Sequence, residues 1–143
     1  MERKTRFTYI IPVKSRHSKV VTKAIAKTLI ALDPQALKSM THDNGMEMAN
    51  HKWLSDKIGI DIYFAHPYSS WERGTNENTN GLIRRFFPKK TDFNMVTIKQ
   101  LKEAQNNLNN RPRKVLGYST PNEMMEIEIA KIKYQNYNEN VYI

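Results

Sequence analysis

The chain has 143 residues, the size of one ordinary domain, and 39 % of them are hydrophobic, enough for a core. Its 23 Lys and Arg outnumber 14 Asp and Glu and leave a formal net charge of +9, a bias that attracts polyanions and points to nucleic acid. The absence of Cys excludes disulfides, zinc fingers and thiol chemistry and fits a reducing cytosol, and no apolar run approaches the roughly 20 residues that a membrane-crossing helix needs.

The first residues, Met1-Glu2-Arg3-Lys4, lack the shape of a signal peptide. Over residues 5–13, Phe7, Tyr9, Ile11 and Val13 alternate with Arg6, Thr8, Ile10 and Pro12, the period of a strand. Ser15 or Ser18 is the candidate cap of a helix over 19–32, where Val21, Ile25, Leu29 and Leu32 share one face and Asp33-Pro34 ends the run. A short strand is expected over 37–41. His42-Asp43-Asn44-Gly45 then turns the chain, with Asn44-Gly45 as the expected source of positive φ. A second helix is expected over 47–57, with Met48, Trp53 and Ile58 as core contacts and Gly59 as its stop. Another strand follows over 60–65, then a loop over 67–71.

A third helix over 73–87 stops at Pro88, and a fourth over 97–110 stops before Pro112. A short helix begins at Pro121 with Thr120 as cap, and a polar, Tyr- and Asn-rich tail finishes the chain. Strands alternating with helices imply α/β with some parallel strands. Three strands are fewer than a parallel sheet usually has, so a further strand is expected outside these residues.

Asp43 stands at a strand's C-terminal end, where open α/β sheets put their chemistry; the ordinary role of Asp-Asn-Gly is a turn alone. On the third helix Leu82, Ile83, Phe86 and Phe87 form an apolar stripe, while Arg73, Glu77, Asn80 and Arg84 fall at i, i+4, i+7 and i+11 on one polar face. A plain solvated face is rich in Lys and Glu; this one is rich in Asn and Arg, which suits a phosphate backbone. Between Asp43 and Glu77 lie 33 residues, a spacing that lets a strand-end Asp and a helix Glu meet across one crossover. Two such carboxylates suit Mg²⁺ or Mn²⁺, the hard ions that clamp attacking and leaving oxygens in phosphodiester chemistry.

Arg84, Arg85, Lys89 and Lys90 make one basic cluster, and Arg111, Arg113 and Lys114 a second. Both are candidate DNA-phosphate contacts, with solubility as the ordinary alternative. His42 and His66 flank the site, but no His pair lies at i, i+4, and His ligation does not suit a hard ion. Pro67, Tyr68 and Trp71 serve either as packing for a sugar or base or as a clamp on their own loop.

The run His66-Pro67-Tyr68-Ser69-Ser70-Trp71-Glu72-Arg73-Gly74-Thr75-Asn76-Glu77-Asn78-Thr79-Asn80-Gly81-Leu82-Ile83-Arg84-Arg85-Phe86-Phe87-Pro88-Lys89 resembles the signature of the "insertion sequence thirty" family of transposases. Thr41-His42-Asp43-Asn44-Gly45-Met46-Glu47-Met48 is similar to that family's second-Asp motif, with Met48 where Phe is expected. Asn109-Asn110-Arg111-Pro112-Arg113-Lys114 and Thr120-Pro121-Asn122-Glu123 resemble its C-terminal end, and Glu2-Arg3-Lys4-Thr5-Arg6-Phe7 its second strand. The resemblance implies a ribonuclease-H-like integrase core, in which Asp43 matches the second catalytic Asp and Glu77 the catalytic Glu. It also implies Mg²⁺ or Mn²⁺ in the intact enzyme, DNA as partner and a bacterial cytoplasmic location; no membrane is expected without a membrane-length apolar run, and a sheet short of a strand leads to the expectation of self-association.

The family's first Asp lies on an earlier strand, upstream of Met1, and Asp33, Asp56 and Asp61 are not placed to replace it. The expectation is therefore a partial core over 1–126 that lacks its first strand, a polar tail over 127–143, weak metal binding and inefficient cleavage by these residues alone. A catalytically inactive DNA-binding remnant is the alternative. A ribonuclease or resolvase of the same fold is opposed by the long central motif.

Overall fold

The structure is a computed structural model; it describes residues 1–66 and 74–141, and of residues 75 and 136–141 the backbone alone. The chain divides into two compact units, one continuous, Ile11–Gly74, and one formed by Met1–Ile10 with Thr75–Ile143. Among the described residues, no helix is long and apolar enough to cross a membrane.

In the continuous unit, helix α1 spans Ser18–Ile30 and buries Thr22 and Ala26. His17 occupies the N-cap position without a side-chain cap, so neither Ser15 nor Ser18 serves there. Thr22 is buried because its hydroxyl is fully employed: it donates to Ser18 O at 2.8 Å and accepts from Asn50 Nδ2 at 3.0 Å. Asp33 caps a single turn at Pro34–Ala36, which leads into strand β1, Ser39–His42. A second short turn, Met46–Met48, precedes helix α2, His51–Ile58. Gly59 closes α2 at φ 71°, the left-handed conformation that favours glycine. Strand β2, Asp61–Phe64, pairs in parallel with β1 in the register Ser39 to Asp61 through His42 to Phe64.

The core of this unit is Ala26, Met48 and Leu54, packed by Ile25, Met40, Ile58, Ile62 and Phe64. Leu54 is fully buried, whereas Trp53, expected in the core, is 37 % exposed. Starting α2 at His51 rather than at 47 turns the neighbouring position inward.

In the discontinuous unit, helix α3 spans Gly74–Ile83, α4 spans Ile98–Asn109 and α5 spans Pro121–Val141. A reciprocal capping box fixes the start of α4: Thr97 Oγ1 accepts from Gln100 N, and the Gln100 side chain accepts from Thr97 N at 2.8 Å. The same device starts α5 through Thr120 and Glu123. α5 is an unbroken 21-residue helix, so the compositional change at residue 127 falls inside it, and the expected short helix with a tail is corrected to one long element. Phe87, Leu101 and Ala104 form the core here, with Ile10, Ile83 and Val96 against it.

The strand expected over 5–13 is not formed; β1 and β2 are the only strands among the described residues. Residues 7–10 are instead held by side chains of α4. Asn109 Oδ1 accepts from Thr8 N and Asn109 Nδ2 donates to Thr8 O, both at 2.9 Å, and Gln105 Oε1 accepts from Ile10 N at 2.8 Å. The spacing explains the match: four residues of helix rise about 6 Å, close to the roughly 6.7 Å covered by two residues of an extended chain. The carboxamides thus act as a neighbouring strand's peptide groups would.

Glu2 holds the turn that precedes this segment. Its carboxylate accepts from Lys4 N at 2.9 Å and from Thr5 N at 2.6 Å, and it binds the Thr5 hydroxyl. Burial pushes the Glu2 carboxyl up, but the Thr5 hydroxyl and the turn's amides outweigh it and hold the group below the ordinary glutamate range. A lowered folded-state pKa gives stability that is present above the unfolded value and is lost as pH falls through the folded one. Glu2→Gln is therefore expected to lower the melting temperature at neutral pH, with the difference from wild type shrinking below about pH 4. A difference that persists unchanged in acid, in thermal melts across pH, would show that the charge of Glu2 does not hold the turn.

Candidate active site and nucleic-acid surface

Asp43 follows β1 directly and is exposed. Its turn is tied to the end of β2 from both sides: Ala65 N donates to His42 O at 2.7 Å, and Asn44 Nδ2 donates to Ala65 O at 3.5 Å. Because the two strands are parallel, this tether sets Asp43 at the C-terminal rim of the sheet, where strand backbones end and side chains face outward. The Asn-Gly pair does not supply positive φ; Gly45 sits at φ −77°. A Cβ at Gly45 would meet the Glu47 carboxylate, the movable end of a flexible side chain. Glu47, half-buried and four residues after Asp43, is thus a second carboxylate folded back over the Asp43 turn, one the sequence reading did not single out. Its i, i+4 spacing from Asp43 was the available signal.

His42 is half-buried, with Nε2 3.1 Å from Met40 Sδ. Burial lowers its pKa below the ordinary histidine value, against the pull of the neighbouring Asp43.

Glu77 lies in the first turn of α3 and is exposed, as are Asn80 on the same helix and Arg84 just past its end. Arg73, the fourth member of the expected polar face, and the loop over 67–71 lie outside the described residues. Asp43 belongs to the continuous unit and Glu77 to the discontinuous one. Of the apolar stripe, Phe87 is buried and Ile83 packs on the core, while Phe86 is 41 % exposed. Arg85, Lys89 and Lys90 are exposed, and Lys90 takes φ 75°.

In the second basic cluster Arg111 and Lys114 are exposed, but Arg113 is half-buried and engaged by the fold. Its guanidinium donates to Leu108 O at 2.8 Å, at the C-terminal end of α4, where carbonyls lack helix partners. Burial, followed by the nearby charge of Arg111, lowers its pKa below the usual arginine value.

No protein-family model matches the chain. The chain is 43 % identical over 130 residues to the transposase InsI of insertion sequence element IS30A from Escherichia coli (strain K12), covering 91 % of this chain and 34 % of that protein. It is 59 % identical over 87 residues to the transposase of insertion sequence element IS4351 from Bacteroides fragilis, covering 61 % of this chain and 27 % of that protein. It therefore spans about a third of the length of the curated relatives it matches. The crystal structure of the catalytic core domain of BIV integrase superposes with a TM-score of 0.67 at 20 % identity, covering 90 % of this chain and 84 % of that one. The fold is accordingly the α/β fold of an integrase catalytic core. With that fold, and with 43 % identity across an alignment that covers 91 % of its residues, the chain belongs to the insertion sequence thirty family of transposases.

Proposed function

We propose that these residues are the catalytic-core portion of a metal-dependent DNA transposase, with Asp43 and Glu77 as two of its acidic metal ligands. The observation that carries the reading is the exposed carboxylate of Asp43 at the C-terminal end of β1 in an integrase-core fold. The exposed Glu77 and the named relatives support it.

The donor chemistry suits Mg²⁺ or Mn²⁺. Asp43 and Glu77, with the Asn44 carboxamide and the Glu47 carboxylate beside Asp43, offer hard oxygens throughout. Among the described residues no group of three or more His, Asp or Glu is gathered into a cage. Mg²⁺ characteristically keeps several waters and takes one or two carboxylates together with substrate phosphates. When bound, it would supply Lewis-acid stabilisation of a phosphodiester oxygen and an activated water. The chain's own part is to orient the DNA: Asn80, Arg84, Arg85, Lys89, Lys90, Arg111 and Lys114, with Arg73, hold phosphates, and Arg113 steadies the loop between Arg111 and Lys114. The reading includes self-association, because a two-stranded sheet leaves open edges among the described residues.

DNA binding is the first test. The 143-residue chain is expected to bind duplex DNA with log affinity falling linearly in log salt, by about 0.9 per phosphate neutralised. Binding that is absent at low salt, or indifferent to salt, would sink the reading. Metal-dependent nicking is the second test, and salt-dependent binding without any nicking by a longer protein would leave a DNA-binding role alone.

A further inference from the structure

Tyr118 is 69 % exposed, and among the described residues its side chain makes no hydrogen bond or ring contact. It also sits at φ 69°, immediately after Gly117 at φ 61°. Glycine adopts that conformation freely; a tyrosine does not, and such strain persists only where surrounding structure enforces it. The enforcement is visible. Arg113 N donates to Ser119 O at 3.0 Å and Tyr118 N to Arg113 O at 2.9 Å, closing residues 114–118 into a tight tip. Within the tip, Leu116 N and Gly117 N donate to Arg113 O and Lys114 O. Below it, the Arg113 side chain is turned inward to Leu108 O, and its buried Nε has no hydrogen-bond partner among the described residues. A buried, incompletely paired guanidinium and a strained tyrosine are both costs to folding. Together they hold an aromatic ring out into solvent on a rigid tip that also carries Lys114, with Arg111 just before it, both exposed.

We infer that this tip is a stacking platform for an unpaired DNA base, with the Tyr118 ring against the base and Arg111 and Lys114 on flanking phosphates. The inference rests on the DNA reading above and adds to it the recognition of an unpaired base. An aromatic face accepts any base by stacking, and neighbouring cations fix the backbone. A paired base inside a duplex does not offer its face, so the platform favours frayed, flipped or single-stranded DNA.

The experiment measures affinity of the 143-residue chain for three labelled probes of the same sequence: a single strand, a blunt duplex, and a duplex with one unpaired flanking base. Tyr118→Ala is expected to weaken binding of the two probes with unpaired bases about tenfold while leaving the blunt duplex within about twofold, the difference that base stacking on an aromatic ring supplies. Tyr118→Phe should retain wild-type affinity. Tyr118→Gly removes the ring and relieves the positive φ, so it should bind like the Ala variant without a lowered melting temperature, an outcome that a merely structural tyrosine would not give. Arg111→Ala and Lys114→Ala should weaken all three probes and lower the salt slope by about 0.7–0.9 each. Equal loss on all probes, a Phe variant as weak as Ala, or no effect of Tyr118 in a chain that binds DNA would overturn the platform alone. A folded wild-type chain that binds none of the probes at low salt would overturn it together with the DNA reading.

Discussion

Glu77→Gln or Asp43→Asn, in a longer protein that carries these residues behind the upstream portion the family resemblance implies, is expected to reduce Mg²⁺- or Mn²⁺-dependent nicking of supercoiled plasmid by more than about a hundredfold, the scale on which a single fixed stabiliser of transition-state charge acts. The substitutions change one oxygen to nitrogen at nearly constant volume, so packing is not at issue. Both side chains are exposed, and neither is part of a core cluster. What is lost is negative charge and a hard donor at the point where a divalent ion would be held. DNA affinity should stay the same or rise slightly, because removing a carboxylate makes a basic surface more basic. Nicking that survives both substitutions would move the chemistry to other residues. Loss of nicking accompanied by loss of fold, read by circular dichroism, would remove the support for a direct role.

Asn109→Ala is expected to destabilise the discontinuous unit by about 3 kcal/mol, because two buried backbone groups lose their partner at once. Asn109 is 2 % exposed and Thr8 is 3 % exposed, so water does not replace the lost bonds. Against a total stability on the order of 5–15 kcal/mol, this is a large share. Asn109→Asp sharpens the test. The carboxylate can still accept from Thr8 N but cannot donate to Thr8 O, and it introduces a charge in a dry place. Its folded-state pKa should be raised, which makes the variant relatively more stable as pH falls below that value, since the protonated acid regains a donor. Denaturant melts of the two variants at neutral and acidic pH decide the matter. An Asn109→Ala variant as stable as wild type, or an Asp variant indifferent to pH, would mean that the carboxamide bridge is not holding residues 7–10.

What was legible in the sequence was local. Gly59 as a helix stop, Thr120 as a cap, and parallel strands among the segments around 39–42 and 61–64 all follow from chemistry within a few residues or from strand-helix alternation. Asp43 at a strand end and Glu77 on an exposed helix face were legible for the same reason. Non-local partners were not. The alternation of residues 5–13 is that of a strand, but a strand needs a neighbouring backbone, and here the partners are amides of side chains about a hundred positions away. Trp53 and Leu54 differ by one step of helical phase, which shifts with the helix start. The Asn44-Gly45 pair carried a correct signal for a turn and a wrong one for its backbone, because Gly45 takes φ −77°. Arg113 is indistinguishable from Arg111 by type; only the free carbonyl of Leu108 decides which of them turns inward.

The bridge from Thr8 to Asn109 joins positions 101 apart, and residues 11–74 make up a unit of their own. The discontinuous unit therefore has its first ten residues made early and their partners made late. As the chain leaves a ribosome, the continuous unit has all its strands and helices available before α4 exists. Residues 7–10 meanwhile must wait with their amides in water, since loop closure over such a distance precedes any reward from the contact. Synthesis halted before Asn109 would release a polypeptide with the continuous unit finished and residues 7–10 unsatisfied, a natural substrate for proteases. Folding of this protein is thus ordered in time by where its chain doubles back.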